Sequence, residues 1–219
     1  MKAFFKGSFV MLPFALVTAP WGILTGSIAT QMGLSFYKTC AMALFVFAGA
    51  AQLLSLTLMQ AHASVFIILI STFFITLHHL IYALHFRKNF SHQPIQKRLL
   101  FGFLLTDELF AIGTKYPKEN LQFLLGAGLC FYLSWFLSNI LGIFLSHTVN
   151  DLNQYHFDFS IIALFLPIII SLIKTITNFK AVVITAISIC ILNYFSCPSA
   201  FIFSSLIGLA VGALTKEVE

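Results

Sequence analysis

Read for its hydrophobic and polar positions, the chain is a series of apolar stretches broken at short polar intervals. Ser8–Met32, Thr39–Gln60 and Val65–Phe86 come first, then the polar run Arg87–Arg98, RKNFSHQPIQKR. Leu99–Gly113, Leu121–Ser146, Asp158–Ile173, Ala181–Phe195 and Ala200–Leu214 follow. Hydrocarbon offers an exposed backbone no hydrogen bonds, so stretches of this kind become helices that satisfy their own. The pattern predicts an all-α fold, a polytopic integral membrane helix bundle of about six to seven segments. Some of these are expected to be broken or re-entrant, and the whole is expected to form a single membrane domain over residues 1–219.

Composition sharpens the class. Hydrophobic residues make up 59% of the 219 positions and charged ones 9%, against roughly 45–50% and about 25% in soluble globular chains. Phe alone occurs 26 times, and a soluble domain could not cover that surface with so few charges. The net charge of +5 fits Lys and Arg at cytoplasmic helix ends. A nucleic-acid footprint would need basic residues clustered on a folded soluble face, which this chain does not supply. Cys40, Cys130, Cys190 and Cys197 have neither CxxC nor zinc-ligand spacing and read as packing residues. The N-terminus carries Lys2 and Lys6 before an apolar run, as a signal peptide would. It lacks a small-x-small cleavage site, so it reads as the first membrane segment.

The run Arg87–Arg98 holds four of the twelve basic residues and marks the cytoplasmic face; its expected contacts are headgroups and water. If Lys2 and Lys6 share that face, an even number of crossings separates them from it, yet three apolar segments lie between. Either the N-terminus is outside, or one segment enters and returns on the same side. The first segment is the leading candidate for re-entry and the Gly49 region the second. Pro13 and Pro20 free the carbonyls of Phe9 and Leu16, and Gly22, Gly26 and Gly33 follow. This is either a proline kink or a half-helix starting at Pro20, capped by Thr18 or Ala19, with its positive end turned into the protein. On the far side of the basic run, the fifteen residues Leu99–Gly113 reach about 22 Å as a helix, short of a roughly 30 Å core. They read as an interfacial or half-inserted helix on the same face as Lys115 and Lys118.

Candidate chemistry is sparse. In Phe47–Gln52, FAGAAQ, the small residues suit close helix packing, while Gln52 either finds a packing partner or lines a polar cavity. His78, Tyr82 and His85 share one helical face and His79 points elsewhere. They are either interfacial or serve substrate contact and proton transfer. Asp107 and Glu108 point about 100° apart, so one is expected to face the protein and the other water or Lys115. Asp158 is either an ion-coupling group or a helix N-cap at the outer interface.

Taken together, these pieces resemble the AzlC/YgaZ family, the large subunit of branched-chain amino acid exporters, over about residues 8–175. Pro13, Pro20 and Gly22 look like its Pro- and Gly-rich opening, and Phe47–Gln52 like its FAGA-x-Q signature. Asp107–Ala111 is similar to its DE-x-FA piece, Trp135 with Gly142 to its tryptophan-containing span, and Phe157–Phe159 to its Leu-Asp-Phe. Thr76 and His78 stand where the family usually shows Asn and Arg, while His79 and Tyr82 match. The difference puts substrate choice and proton coupling in question, since guanidinium and imidazole differ in charge, reach and geometry.

The charge pattern, with Lys174, Lys180 and Lys216 on the inner side, predicts a cytoplasmic C-terminus. The resemblance implies a secondary transporter in the plasma membrane with a small AzlD-like membrane subunit as partner. It would export valine, leucine, isoleucine or methionine on the proton gradient, without nucleic acid, cofactor or enzymatic activity. Substrate contacts are expected at Pro20, Trp21, Gly22, Gly49, Gln52, His79 and Tyr82. Coupling is expected at Asp107, Glu108, Asp158 and His78. Two other readings stay open: a membrane-embedded metal protein or enzyme using His78, His79 and His85, and a non-transporting structural subunit.

Overall fold

The computed structural model describes residues 2–146, 166, 170, 173, 175–197 and 200–215. These are helical, joined by turns, and fall into two compact units, Met1–Leu164 and Phe165–Glu219. The predicted Asp158–Ile173 segment lies almost wholly outside the described residues.

In the first unit α1 is Lys2–Gln31 and α8 is Leu121–Leu145, both long and apolar enough to cross a membrane. They run parallel along a seam of small residues. A Cβ on Gly22 would sit 2.7 Å from that of Ser138; one on Gly26 would overlap the Asn139 backbone, and one on Gly142 that of Ile23. Nearer the N-terminus, Gly7 meets the Phe123 backbone and Gly126 that of Phe4. The numbers rise together along both helices, which fixes the parallel sense. Backbones this close exchange dispersion contacts that lipid cannot supply, the usual basis of helix association in membranes. The Ser8 hydroxyl adds a bond to the carbonyl of Gly126, 3.0 Å, and Lys6 pairs with Glu119.

α1 corrects one expectation. It contains both Pro13 and Pro20 without interruption, so it is neither re-entrant nor a half-helix beginning at Pro20. Thr18 is not a cap: its hydroxyl donates back to the carbonyls of Phe14 and Ala15, at 2.9 and 3.2 Å. Ser and Thr side chains and a packed neighbour keep a proline-bearing membrane helix continuous in this way.

Re-entry occurs in the next segment. α2, Phe36–Phe45, starts beside the C-terminal end of α8, with Phe36 against Phe144. It descends until the carbonyl of Leu44 accepts from the Tyr132 hydroxyl, 3.0 Å. The chain then turns through extended Ala48 (φ −153°, ψ 97°) into α3, Gly49–Gln60. α3 climbs back: Gly49 lies on the Trp135 indole and Gln52 reaches Asn139. After a turn at His62 (φ 54°), α4, Val65–Thr76, returns antiparallel to α3, with Ser55 and Thr72 hydroxyls 3.2 Å apart. It bends by 41° into α5, His78–Phe90, and the two together are long and apolar enough for one span.

The second hairpin mirrors the first from the opposite face. α6, Ile95–Leu104, enters beside α5, with Phe101 against Phe86 and Phe90. α7, Asp107–Lys115, returns until Tyr116 meets Phe123 at the start of α8. Its deepest part, Leu104 and Leu109, rests on Gly128. The expected half-inserted piece is therefore a helical hairpin broken at Leu105 and Thr106. The two hairpin tips meet at the middle of α8, where Phe47 lies 6.0 Å from Phe103 and both rings contact Tyr132. That point is about 16 Å along α8 from its start, near the midplane of a roughly 30 Å hydrocarbon core.

A span followed by a hairpin on its exit face thus occurs twice, in opposite senses, before α8 closes the unit. With α4 and α5 counted as one span, two spans separate the N-terminus from the basic run. In the second unit α9, Ile176–Tyr194, packs antiparallel to α10, Ala200–Leu214, through Gly208 against Thr185 and Gly212 against Ala181.

Candidate functional site

Two polar clusters lie in the first unit, one behind each hairpin tip. The first closes around Gln52, which is fully buried, as is Asn139. The Gln52 amide Nε2 donates to Asn139 Oδ1 (3.0 Å), and Trp135 Nε1 donates to Gln52 Oε1 (3.3 Å). Asn139 Nδ2 donates to the carbonyl of Trp135 (2.9 Å). Trp21 meets Trp135 edge to face at 5.7 Å, and Gly22 lies against Ser138 and Asn139. Gly49 completes the ring, since a Cβ there would come within 2.8 Å of the Trp135 indole. Trp21, Gly22, Gly49 and Gln52, chosen from the sequence as substrate contacts, come together here, and Pro20 is adjacent in α1. Of the two alternatives for Gln52, the structure gives the packing partner.

Beside this ring stands the start of α3. Gln52 N donates to Ala48 O, 2.9 Å, as the first bond of the helix, and Ala48 offers no side-chain cap. The amides of Gly49, Ala50 and Ala51 therefore form the positive end of a half-helix near the midplane.

The second cluster is acidic. Thr106 caps α7 by accepting from the amide of Leu109, and Asp107 and Glu108 occupy the first turn, where the helix dipole favours negative charge. The Tyr82 hydroxyl donates to Asp107 Oδ1 at 2.6 Å. His78 Nε2 lies 3.4 Å from the same oxygen, an ion-pair distance longer than a good hydrogen bond. Glu108 is 4% exposed, while the Asp107 side chain, held by Tyr82 and His78, keeps 21% of its surface open. Lys115 lies over the Tyr116 ring.

The histidines divide. His78 joins the acid; His79 stacks near it (4.4 Å) and bonds the carbonyl of Thr76 through Nδ1 (3.0 Å). His85 sits against the edges of Phe86 and Phe110, apart from the other two. Among the described residues no group of three His, Cys, Asp or Glu side chains is placed to hold a metal. Asp158 lies outside the described residues. Sequence reasoning missed Asn139 and Tyr132 as site residues. A lone amide in a span was the available signal for Asn139, but nothing marked which amide it would meet.

The family described as AzlC protein matches residues 13–149, which contain both clusters and both hairpins. An uncharacterized membrane protein of Archaeoglobus fulgidus is 31% identical over 177 residues, covering 78% of this chain and 76% of that protein. One from Helicobacter pylori is 28% identical, covering 73% and 71%. The inner membrane protein YgaZ of Escherichia coli K12 is 26% identical, covering 64% and 60%. No solved structure matches the chain.

Proposed function

The chain belongs to the AzlC family, and from that premise we propose that it is a secondary transporter exporting branched-chain or other hydrophobic amino acids. The observation that carries this reading is the convergence of two half-helix hairpins, from opposite faces, on the middle of α8. Transporters built from inverted repeats place their substrate and coupling groups at such a point, with half-helix N-termini toward anionic substrate groups.

The two hairpin tips are chemically unequal. The N-terminus of α3 has no side-chain cap and suits the substrate carboxylate, a role expected from the sequence at Pro20. That of α7 already holds Thr106, Asp107 and Glu108 and suits a proton. Asp107, with Tyr82 and His78 on the bent span, is the coupling group in this reading, since ionisable groups at membrane depth are costly and kept for function. Phe47, Phe103, Phe131 and Tyr132 supply apolar surface for a branched side chain.

Lys2, Lys6, Arg87, Lys88, Lys97, Arg98, Lys115 and Lys118, eight of the twelve basic residues, gather on one face, which we assign to the cytoplasm. The plasma membrane is the expected location, in keeping with the name of the Escherichia coli relative. A cytoplasmic C-terminus and an AzlD-like partner subunit belong to the same reading. The test is efflux of labelled valine or leucine from loaded cells, with and without an AzlD-like partner. Faster loss than from vector controls is expected, and no difference in either arrangement overturns the proposal.

A further inference from the structure

A cleft of about 570 Å³ runs between α5 and α6, and no residue of either polar cluster lines it. Leu80, Ala83, Leu84, Phe101, Gly102 and Leu105 form its apolar walls, and Arg87, Ser91 and Arg98 line it as well. α5 descends toward the basic face and α6 climbs from it, so the two arginines and Ser91 lie at the mouth while Leu80 and Leu105 lie deepest. From Leu80 to Ser91 the helix spans about 16 Å, close to half of a roughly 30 Å hydrocarbon core. One end of the cleft is therefore cationic and at headgroup level, and the rest is apolar and one leaflet deep.

Neither arginine has a carboxylate partner among the described residues, where the ion pairs are Lys6–Glu119 and His78–Asp107. Cationic charge without a counterion among the described residues, at the end of an apolar slot, has one complementary occupant in a bilayer. That occupant is an anionic phospholipid, its phosphate on the guanidinium pair and one acyl chain along the slot. Arginine presents a fork of donors suited to phosphate oxygens, and basic pockets between membrane helices bind anionic headgroups. A helix of a partner protein would fill the apolar walls but leave the two charges unmatched. We propose that the α5–α6 cleft is a specific binding site for an anionic phospholipid of the leaflet on the basic face. The site does not depend on the transport reading.

The test is native mass spectrometry of the purified full-length protein in detergent, titrated separately with phosphatidylglycerol, phosphatidylcholine of the same chains, and inorganic phosphate. Retention of phosphatidylglycerol alone is expected. In R87Q/R98Q it should fall roughly 25-fold, about fivefold per charge. In K88Q/K97Q, which removes the same charge from residues that do not line the cleft, it should persist. Gly102→Leu serves as a filling variant, because a Cβ at Gly102 has no atom within 4 Å and the arginines stay in place; it too should lose the lipid. Equal retention of both lipids, binding of phosphate alone, or undiminished phosphatidylglycerol binding in Gly102→Leu or R87Q/R98Q would each overturn the proposal. So would photocrosslinking from position 99 that captures a polypeptide and no lipid.

Discussion

At the scale of single residues, the Gln52 amide is tied at both of its polar atoms inside a buried helix interface. Gln52→Ala would leave Asn139 Oδ1 and Trp135 Nε1 buried without those partners. An orphaned buried group costs about 1–3 kcal/mol, so thermal unfolding in detergent should register a clear loss of stability. Asp107 differs in kind, because its partners Tyr82 and His78 lie across a helix boundary on another segment. Asp107→Asn keeps the shape and removes the titratable group. It should allow downhill amino acid exchange while abolishing export driven by an imposed pH gradient. Efflux from vesicles with and without that gradient separates the two, and equal loss of both would make Asp107 structural. Gln52 and Asp107 stood out in the sequence because a lone amide and a carboxylate are conspicuous among apolar neighbours. Their partners did not, since Asn139 lies 87 positions from Gln52 and no local pattern encodes such a meeting.

At the scale of helices, what holds α1 to α8 is the seam of small residues. The Lys6–Glu119 pair is largely solvent-facing on the lysine side, 58% exposed, and such pairs contribute about 0–1 kcal/mol. Glu119→Gln should therefore leave the unfolding temperature nearly unchanged, whereas Gly26→Leu, which overlaps the Asn139 backbone, should abolish a folded product in size-exclusion chromatography. The hairpins make a topological prediction. Cysteines at positions 2 and 91 should label from one side of the membrane, and cysteines at 38 and 62 from the other. Labelling of 2 and 91 from opposite sides would refute the fold. Here the apolar pattern was only partly legible. It located every described membrane segment, and the charge count left either an external N-terminus or one re-entrant piece in the front part. It misjudged which piece, because prolines look like breaks in a sequence, whereas Thr18, Ser8 and the close contact with α8 keep α1 whole. The Gly49 region, the second candidate, has no proline to mark it; α2 ends at Phe45 and α3 begins at Gly49, and Phe47 between them packs on Phe131 and Tyr132.

At the scale of the molecule, the inverted order of span and hairpin gives the first unit two related halves that touch at their tips. Alternating access by rocking one repeat against the other requires Phe47 and Phe103 to separate from their 6.0 Å contact. Joining F47C to F103C with a short bifunctional thiol reagent should stop efflux, and a reducing agent should restore it. Undiminished efflux in the linked protein would mean that the tips move as one body.

The parallel pairing of α1 with α8 also bears on how the protein is made. Ser8 and its partner Gly126 are 118 positions apart, so at about 5–20 residues per second of synthesis the first helix waits roughly 6–24 s for its mate. During that interval a glycine-notched, proline-bearing helix stands in lipid with its best packing face unmet. Biogenesis, more than the stability of the finished bundle, is then the step at which this protein depends on the insertion machinery to shelter a nascent segment.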